Sequence, residues 1–194
     1  MRLFVAVDLD DVARRAIGAE QRRLARGLDS DRSSLKWVDP DRMHVTLVFL
    51  GEIAEADGAR VVEAIAPDLD AAPFVAAFEQ LGVFPSRGAP RALWLGVSEG
   101  ARELGDVYQQ VKGRLQPLGI PLDERPFSAH LTLARWRRSR PSDRARALAM
   151  GRQAPVARVR VGHVTLYQSR LSSSGPTYTA LARATLRSCL PLSS

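Results

Sequence analysis

Short apolar runs rich in β-branched residues recur along the 194-residue chain, and they constrain the fold more than any other feature. Turn-forming residues bound each run, and none approaches the length of a membrane span, so each predicts a β-strand. Since neighbouring runs are often close enough in sequence to pair directly, the pattern predicts an α+β fold with antiparallel sheets. The predicted strands cover residues 3–9, 43–50, 74–84, 91–97, 130–136, 156–167 and 176–186.

Helical periodicity predicts four helices between these strands. The first, capped by Asp10 or Asp11, extends to Leu28, and two others cover residues 56–66 and 142–150. The clearest helix lies before Gly119, which is expected to end it. The apolar face of the first helix is predicted to contain Val12, Ala16, Leu24 and Leu28. That of the clearest helix is predicted to contain Leu104, Val107, Tyr108, Val111, Leu115 and Leu118.

The charge balance favours an anionic partner. The chain has 28 Lys and Arg against 21 Asp and Glu, a formal net charge of +7, and a calculated pI near 10.6. Such an excess suits a nucleic-acid substrate, and arginine can hold a phosphate through two parallel hydrogen bonds. On charge alone, a solvated arginine-rich surface explains the composition equally well.

The single cysteine, Cys189, allows no internal disulfide and no cysteine-based zinc site. The apolar run at the N-terminus is short and is interrupted by Asp8, Asp10 and Asp11, which is unlike a signal peptide. We therefore expect a cytoplasmic protein with no membrane span, a single domain or two tightly joined lobes, and a monomer.

The three histidines of the chain all begin the same four-residue pattern. Each is followed two residues later by threonine and three residues later by leucine, starting at His44, His130 and His163. A lone histidine in a strand is usually a structural residue, but three in one frame indicate a functional motif.

The spacing places an imidazole and a hydroxyl side by side, because residues two apart in a strand project from the same face. Imidazole can give or take a proton near neutral pH, and a threonine hydroxyl can donate to a phosphate oxygen. Two such pairs across a groove would surround one phosphate, with one histidine activating water and the other protonating the departing alkoxide. This chemistry needs no metal, and no metal-ligand spacing accompanies the histidines.

Two of these motifs, with their flanks, resemble a known family. Residues 43–51 (MHVTLVFLG) and 125–135 (RPFSAHLTLAR) resemble the two signature motifs of the 2H phosphoesterases. The branch they resemble most is that of the RNA 2′,3′-cyclic phosphodiesterases, also called 2′-5′ RNA ligases. The resemblance extends over nearly the whole chain, including residues 2–7, 84–85, 90–96, 166–171 and 175–178.

The resemblance implies a fold, a reaction and a set of site residues. It implies two lobes related by a pseudo-twofold axis, each an antiparallel sheet backed by helices, with the motifs facing across a central groove. It also implies hydrolysis of RNA 2′,3′-cyclic phosphate ends to 2′-phosphates without a cofactor, and in some members 2′-5′ ligation without ATP. If the product is the 2′-phosphate, O3′ is the leaving group. We assign His44 as proton donor and His130 as proton acceptor, assisted by Thr46 and Thr132, although the two histidines could exchange roles.

The supporting residues are less well defined by sequence. Arg135 matches a family arginine suited to bind phosphate or ribose, but strict alternation places it on the face opposite His130 unless a bulge, twist or strand end intervenes. Arg2 and Arg91 are expected at the surface rather than in the groove, and His163 is expected to be non-catalytic. Four aromatic residues could stack on bases, although in strands this short they more often pack in the core, and the sequence does not choose among them: Trp37, Trp94, Trp136 and Tyr167.

Three alternatives remain open at this point. The enzyme could act on a small cyclic nucleotide or a 2′-5′ oligonucleotide, which the arginine excess disfavours. The chain could be a non-catalytic RNA-binding module, although both His-Thr pairs are intact. A metal-dependent nuclease should lose activity in chelator.

Overall fold

The computed structural model describes residues 1–28, 34–172 and 175–188, and Cys189 lies outside them, as does part of the polar turn predicted at residues 172–175. The described helices are α1 (Asp11–Leu28), α2 (Glu55–Ile65), α3 (Ala101–Leu115) and α4 (Pro141–Ala149). The described strands are β1 (Arg2–Asp8), β2 (Ser34–Trp37), β3 (His44–Glu52), β4 (Leu69–Asp70), β5 (Phe74–Phe84), β6 (Ala92–Glu99), β7 (His130–Arg138), β8 (Ala157–Val161), β9 (His163–Ser172) and β10 (Gly175–Arg187).

The described strands form two five-stranded sheets, which confirms the predicted α+β class. The first sheet has the order β3-β1-β9-β10-β4, and the second has the order β2-β7-β6-β5-β8. Neighbouring pairs in these sheets are antiparallel, as predicted, apart from the short edge pair of β4 and β10, which is parallel.

Two of the four described helices, α1 and α3, cover the sheet to which the preceding strand does not belong. α1 contacts β2 and β8, and α4 contacts β5, so both cover the second sheet, although α1 directly follows a strand of the first sheet. α2 contacts β10 and α3 contacts β3, so both cover the first sheet, although α3 directly follows a strand of the second sheet. The buried apolar side chains of both halves form one contiguous core cluster, which joins the lobes through packing.

Helix α3 confirms the predicted amphipathic face. Leu104, Val107, Tyr108, Val111 and Leu115 are buried. The α-helix ends at Leu115, and a short 3-10 turn then continues to Leu118 before the left-handed Gly119, whose φ is +72°. Glycine adopts this backbone conformation without the steric cost that a Cβ would add.

Two expectations about the elements are wrong. Val12 is 68% exposed, whereas Ala13 and Ile17 are buried, because at about 100° per residue Val12 lies on a different face of the helix from Leu24 and Leu28. The single strand predicted over residues 156–167 is two strands, β8 and β9, separated at Gly162. β8 pairs with β5 and β9 pairs with β1, so the chain crosses from the second sheet to the first at this glycine.

Candidate active site

The two signature motifs lie on strands that contact each other across the lobes. β3 is an edge strand of the first sheet, β7 lies between β2 and β6 in the second, and the two strands are in contact. Their first six residues have the same alternation of burial, with the histidine and the threonine of each motif half-buried on one face and the intervening residue buried on the other. The matching burial patterns of β3 and β7 agree with the expected pseudo-twofold relation between the two lobes.

Each motif strand also contains a bulge at the same position. Leu47 in β3 and Leu133 in β7 are extra residues that have no partner in the register of the neighbouring strand. An extra residue reverses the alternation that follows, so the fifth residue after each histidine returns to the face of that histidine. These fifth residues are Phe49 and Arg135. The bulge required for Arg135 to reach the groove is therefore present.

A cavity of about 860 Å³ lies between the motifs. His130, Thr132 and Arg135 from the second lobe and Thr46 from the first lobe line it together. Within the described part of the chain, the cations that line this cavity are Arg2, Arg91, Lys112, Arg125 and Arg135. The expectation that Arg2 and Arg91 lie away from the groove is wrong, because the strand ends that carry them border it. An anionic substrate therefore meets a concentration of positive charge.

Neighbouring groups already engage two of these cations. The guanidinium of Arg2 lies 5.0 Å from the centroid of the Phe49 ring, a cation–π contact. Arg125 donates hydrogen bonds to Asp123, and these bonds lower the pKa of that carboxyl to about 2. Asp123 is consequently charged at any pH near neutrality and offsets part of the positive charge at this end of the cavity.

His44 is held by a carbonyl and by two aromatic rings. Its Nδ1 lies 3.0 Å from the carbonyl oxygen of Arg42, its ring stacks on Phe4 with centroids 4.6 Å apart, and the edge of Tyr178 approaches at 5.3 Å. Burial lowers the pKa of His44, and the Arg42 carbonyl and the negative charge of Asp8 offset part of that effect. His44 lines a smaller cavity of about 150 Å³ rather than the large one.

His130 is held in a matching way. Its Nδ1 lies 2.7 Å from the carbonyl oxygen of Ser128, and its ring meets the edge of Phe84 at 5.0 Å and the tilted ring of Trp94 at 5.9 Å. A carbonyl can only accept, so Nδ1 carries the hydrogen in both histidines. This leaves Nε2 of each ring as the nitrogen that can exchange a proton with a substrate.

The third motif lies elsewhere in the first sheet. His163 begins β9, and its Nε2 is 3.4 Å from Oδ2 of Asp8 at the end of β1. His163 is absent from the linings of the two cavities described above. The structure thus brings together two of the three motifs and directs the third toward a carboxylate.

Base-stacking candidates from the sequence do not line the large cavity. Trp37 and Trp136 pack against the core, and Trp94 and Tyr167 are half-buried. The aromatic residues that do line the cavity are Phe49, Phe84, Tyr108 and Phe127. Strict alternation predicts that Phe49 packs behind the first motif, and only the bulge at Leu47 turns it toward the cavity. Phe84, Tyr108 and Phe127 come from separate segments that no local pattern brings together.

Sequence reasoning also missed Gly82, which makes room for the indole of Trp94. Gly82 in β5 pairs with Trp94 in β6, and a Cβ at residue 82 would overlap the Trp94 ring. Trp94 packs against both His130 and Phe84. The absence of a side chain at Gly82 therefore determines where the Trp94 ring lies beside His130.

Gly82→Ala should therefore destabilise the protein by about 1–3 kcal/mol, the usual cost of overpacking, and displace Trp94. The measurement is the free energy of unfolding in urea together with Trp fluorescence. Gly113→Ala is the matched control, because no described atom outside the helix's own backbone lies near its Cβ position in the exposed last turn of α3, and it should stabilise by about 0.5–1 kcal/mol. Equal effects from the two substitutions would contradict this role of Gly82.

Within residues 1–28, 34–172 and 175–188, no cluster of three or more His, Cys, Asp or Glu side chains could hold a metal ion. No helix in these ranges combines the length and apolar character needed to cross a membrane.

Comparisons with known proteins agree with the motifs. Residues 10–172 match the model of the 2′-5′ RNA ligase superfamily. An Archaeoglobus fulgidus protein named RNA 2′,3′-cyclic phosphodiesterase is 37% identical over 92% of this chain and 96% of its own, and a Thermus thermophilus protein of the same name is 32% identical over 96% and 91%.

A crystal structure of a Thermus thermophilus protein has a TM-score of 0.75 at 30% identity, covering 98% of this chain and 100% of that one. E. coli LigT in its apo form shares the fold, with a TM-score of 0.71 at 24% identity over 95% of this chain and 96% of that one. The chain belongs to the 2′-5′ RNA ligase superfamily, the family that its two histidine motifs resemble.

Proposed function

We propose that this protein hydrolyses the 2′,3′-cyclic phosphate ends of RNA to 2′-phosphates. The observation that carries the proposal is the repeated strand geometry, in which each His-x-Thr pair presents its imidazole and hydroxyl on one face of β3 or β7, and these strands meet at a cationic cavity. The relatives from Archaeoglobus and Thermus carry the name of this activity.

In the proposed reaction, Nε2 of His130 accepts a proton from water as the water oxygen attacks phosphorus. The P–O3′ bond breaks, and Nε2 of His44 gives its proton to O3′, which leaves a 3′-hydroxyl and a 2′-phosphate. Burial suits His44 to this role, because an imidazolium with a lowered pKa is a stronger acid. If a 5′-hydroxyl replaced water, the same steps would form a 2′-5′ linkage.

Thr46 and Thr132 would donate hydrogen bonds to the non-bridging oxygens, where negative charge grows in the transition state. Arg135 shares the cavity and the face of His130, so it would hold the phosphate or ribose by charge-assisted hydrogen bonds. No step requires a metal or an organic cofactor, and we propose that the enzyme acts as a cytoplasmic monomer.

Substrate class is tested by comparing an RNA oligonucleotide that ends in a 2′,3′-cyclic phosphate with the corresponding cyclic mononucleotide. We expect kcat/KM to be about tenfold or more higher for the oligonucleotide, because its upstream phosphates can bind the cavity cations. Equal values would favour a small cyclic phosphate as the substrate. Binding of the oligonucleotide without turnover would favour the RNA-binding module.

A further inference from the structure

The third His-x-Thr motif converges on one carboxylate. His163, Thr165 and Tyr167 lie two residues apart along β9. Thr165 Oγ1 donates to Asp8 Oδ2 at 2.7 Å, the Tyr167 hydroxyl donates to Asp8 Oδ1 at 2.6 Å, and His163 Nε2 lies 3.4 Å from Oδ2. Both carboxylate oxygens therefore have partners from a single strand, and the Asp8 side chain is only 20% exposed.

The held carboxylate lies beside the first active-site histidine. Asp8 and His44 are register partners in the pairing of β1 with β3, and both line the smaller cavity. The hydroxyl of the fully buried Thr165 does not ionise at physiological pH. Burial raises the pKa of Tyr167 to about 12, so its hydroxyl also remains a neutral donor. The two hydroxyls thus hold the Asp8 carboxylate in place without adding a charge of their own beside it.

We infer that the third motif is a positioning device, in which His163, Thr165 and Tyr167 hold Asp8 so that its carboxylate stabilises the protonated form of His44. This inference rests on the proposed function for its catalytic meaning, but the coupling of Asp8 to His44 exists independently of turnover. It accounts for a histidine motif that has the sequence of a catalytic pair yet lies outside the groove. Asp8 and His163 act through His44 and contact no substrate in this account.

Other charged and titratable groups also face this region. Arg14 from α1, Asp41 and Arg42 from the 3-10 turn at Pro40–Arg42, and Tyr178 from β10 line the smaller cavity with Asp8 and His44. Arg183 of β10 acts on Tyr167 through its charge. Asp41 is the informative neighbour, because it is a second carboxylate in the same cavity that the third motif does not hold.

The test is an NMR titration of the His44 imidazole in the wild type, Asp8→Asn and Asp41→Asn. Asparagine keeps the size of residue 8 and one acceptor oxygen, replaces the other oxygen by an NH2 group that can donate to a Thr165 or Tyr167 hydroxyl, and removes the charge that favours imidazolium. We expect the midpoint of the His44 titration to move to lower pH in Asp8→Asn and to stay at the wild-type position in Asp41→Asn. An unchanged midpoint in Asp8→Asn, or equal shifts in both variants, would overturn the inference.

The pH profile of kcat/KM supplies a second readout. Asp8→Asn should lose severalfold more activity at pH 8 than at pH 5.5, because a less basic His44 is deprotonated over more of the alkaline range. Thr165→Val, which removes one donor to Asp8 and keeps the β-branched shape, should change the profile in the same direction by less. A uniform loss at all pH values would indicate a structural role alone and contradict the inference. If Asp8→Asn shifted the NMR midpoint while the wild type had no turnover, the proposed function would be refuted and the coupling of Asp8 to His44 would stand.

Discussion

Replacing His130 or His44 by alanine should lower kcat/KM for cyclic-phosphate RNA by about 10²–10⁴-fold, the range that a positioned acid or base contributes. Each Nδ1 is engaged by a carbonyl oxygen, from Ser128 and Arg42 respectively, so Nε2 is the nitrogen that takes part in proton transfer. The double variant should be little worse than either single variant, because proton removal and proton donation belong to one concerted step. The measurement is initial rate against substrate concentration.

His163→Ala is the matched control for these two variants, since it removes a third histidine from the same sequence pattern. His163 contacts Asp8 and lines neither of the two cavities, so its loss should lower kcat/KM by less than about tenfold. A loss in His163→Ala as large as in His130→Ala would show that the catalytic pair was misidentified. Near-normal rates in His44→Ala would exclude His44 as the proton donor.

Replacing Thr132 or Thr46 by valine should lower kcat by about 10²-fold with little change in KM. Valine keeps the β-branched shape in the strand and removes only the hydroxyl, whose hydrogen bond strengthens as charge grows on the phosphoryl oxygens. Both hydroxyls border the large cavity on the faces of their motif histidines. The measurement is kcat and KM for each valine variant and for the corresponding serine variant. A change in kcat alone indicates transition-state stabilisation, and a change in KM alone indicates substrate binding.

Serine is the matched replacement, because it restores the hydroxyl without the methyl group. Thr132→Ser and Thr46→Ser should retain activity within about tenfold of wild type. If the serine and valine variants were equally impaired, packing rather than the hydroxyl would be the function of these residues. If valine raised only KM, the threonines would bind the ground state and the transition state equally well.

Local patterns predicted most of the individual elements. The residues of β5 and β7 and the buried face of α3 follow from apolar runs and helical spacing alone. In α1, Leu24 and Leu28 are buried as predicted, but Val12 was placed on the wrong face, because the roughly 100° turn per residue puts it away from both. The short strands β2 and β4 were missed because two to four residues carry too little periodicity.

Pairing between distant strands could not be predicted from local patterns. The break at Gly162 separates strands of different sheets, and only their partners, β5 and β1, distinguish them. The place of Arg135 likewise depends on the bulge at Leu133, which exists only relative to the register of β6. The sequence identified Arg135 as a candidate and stated the condition that it required, but the partner strand decided the outcome.

In the site, too, local spacing was predictable and contacts between distant strands were not. The His-x-Thr spacing predicted which two side chains share a face, because that property belongs to a single strand. The role of the third motif required knowing that β1 lies beside β9, which places Asp8 against Thr165 and Tyr167. The contact of Gly82 with Trp94 is equally non-local, and no residue pattern within β5 indicates it.

The most direct test of the central claim is the position of the phosphate on the product. Wild-type protein is incubated, in the presence of chelator, with an RNA oligonucleotide that ends in a 2′,3′-cyclic phosphate, and the product is compared with authentic 2′- and 3′-phosphate standards by ³¹P NMR. We expect complete conversion to the 2′-phosphate, at a rate that the chelator does not change. Formation of the 3′-phosphate, or loss of turnover in chelator, would contradict it.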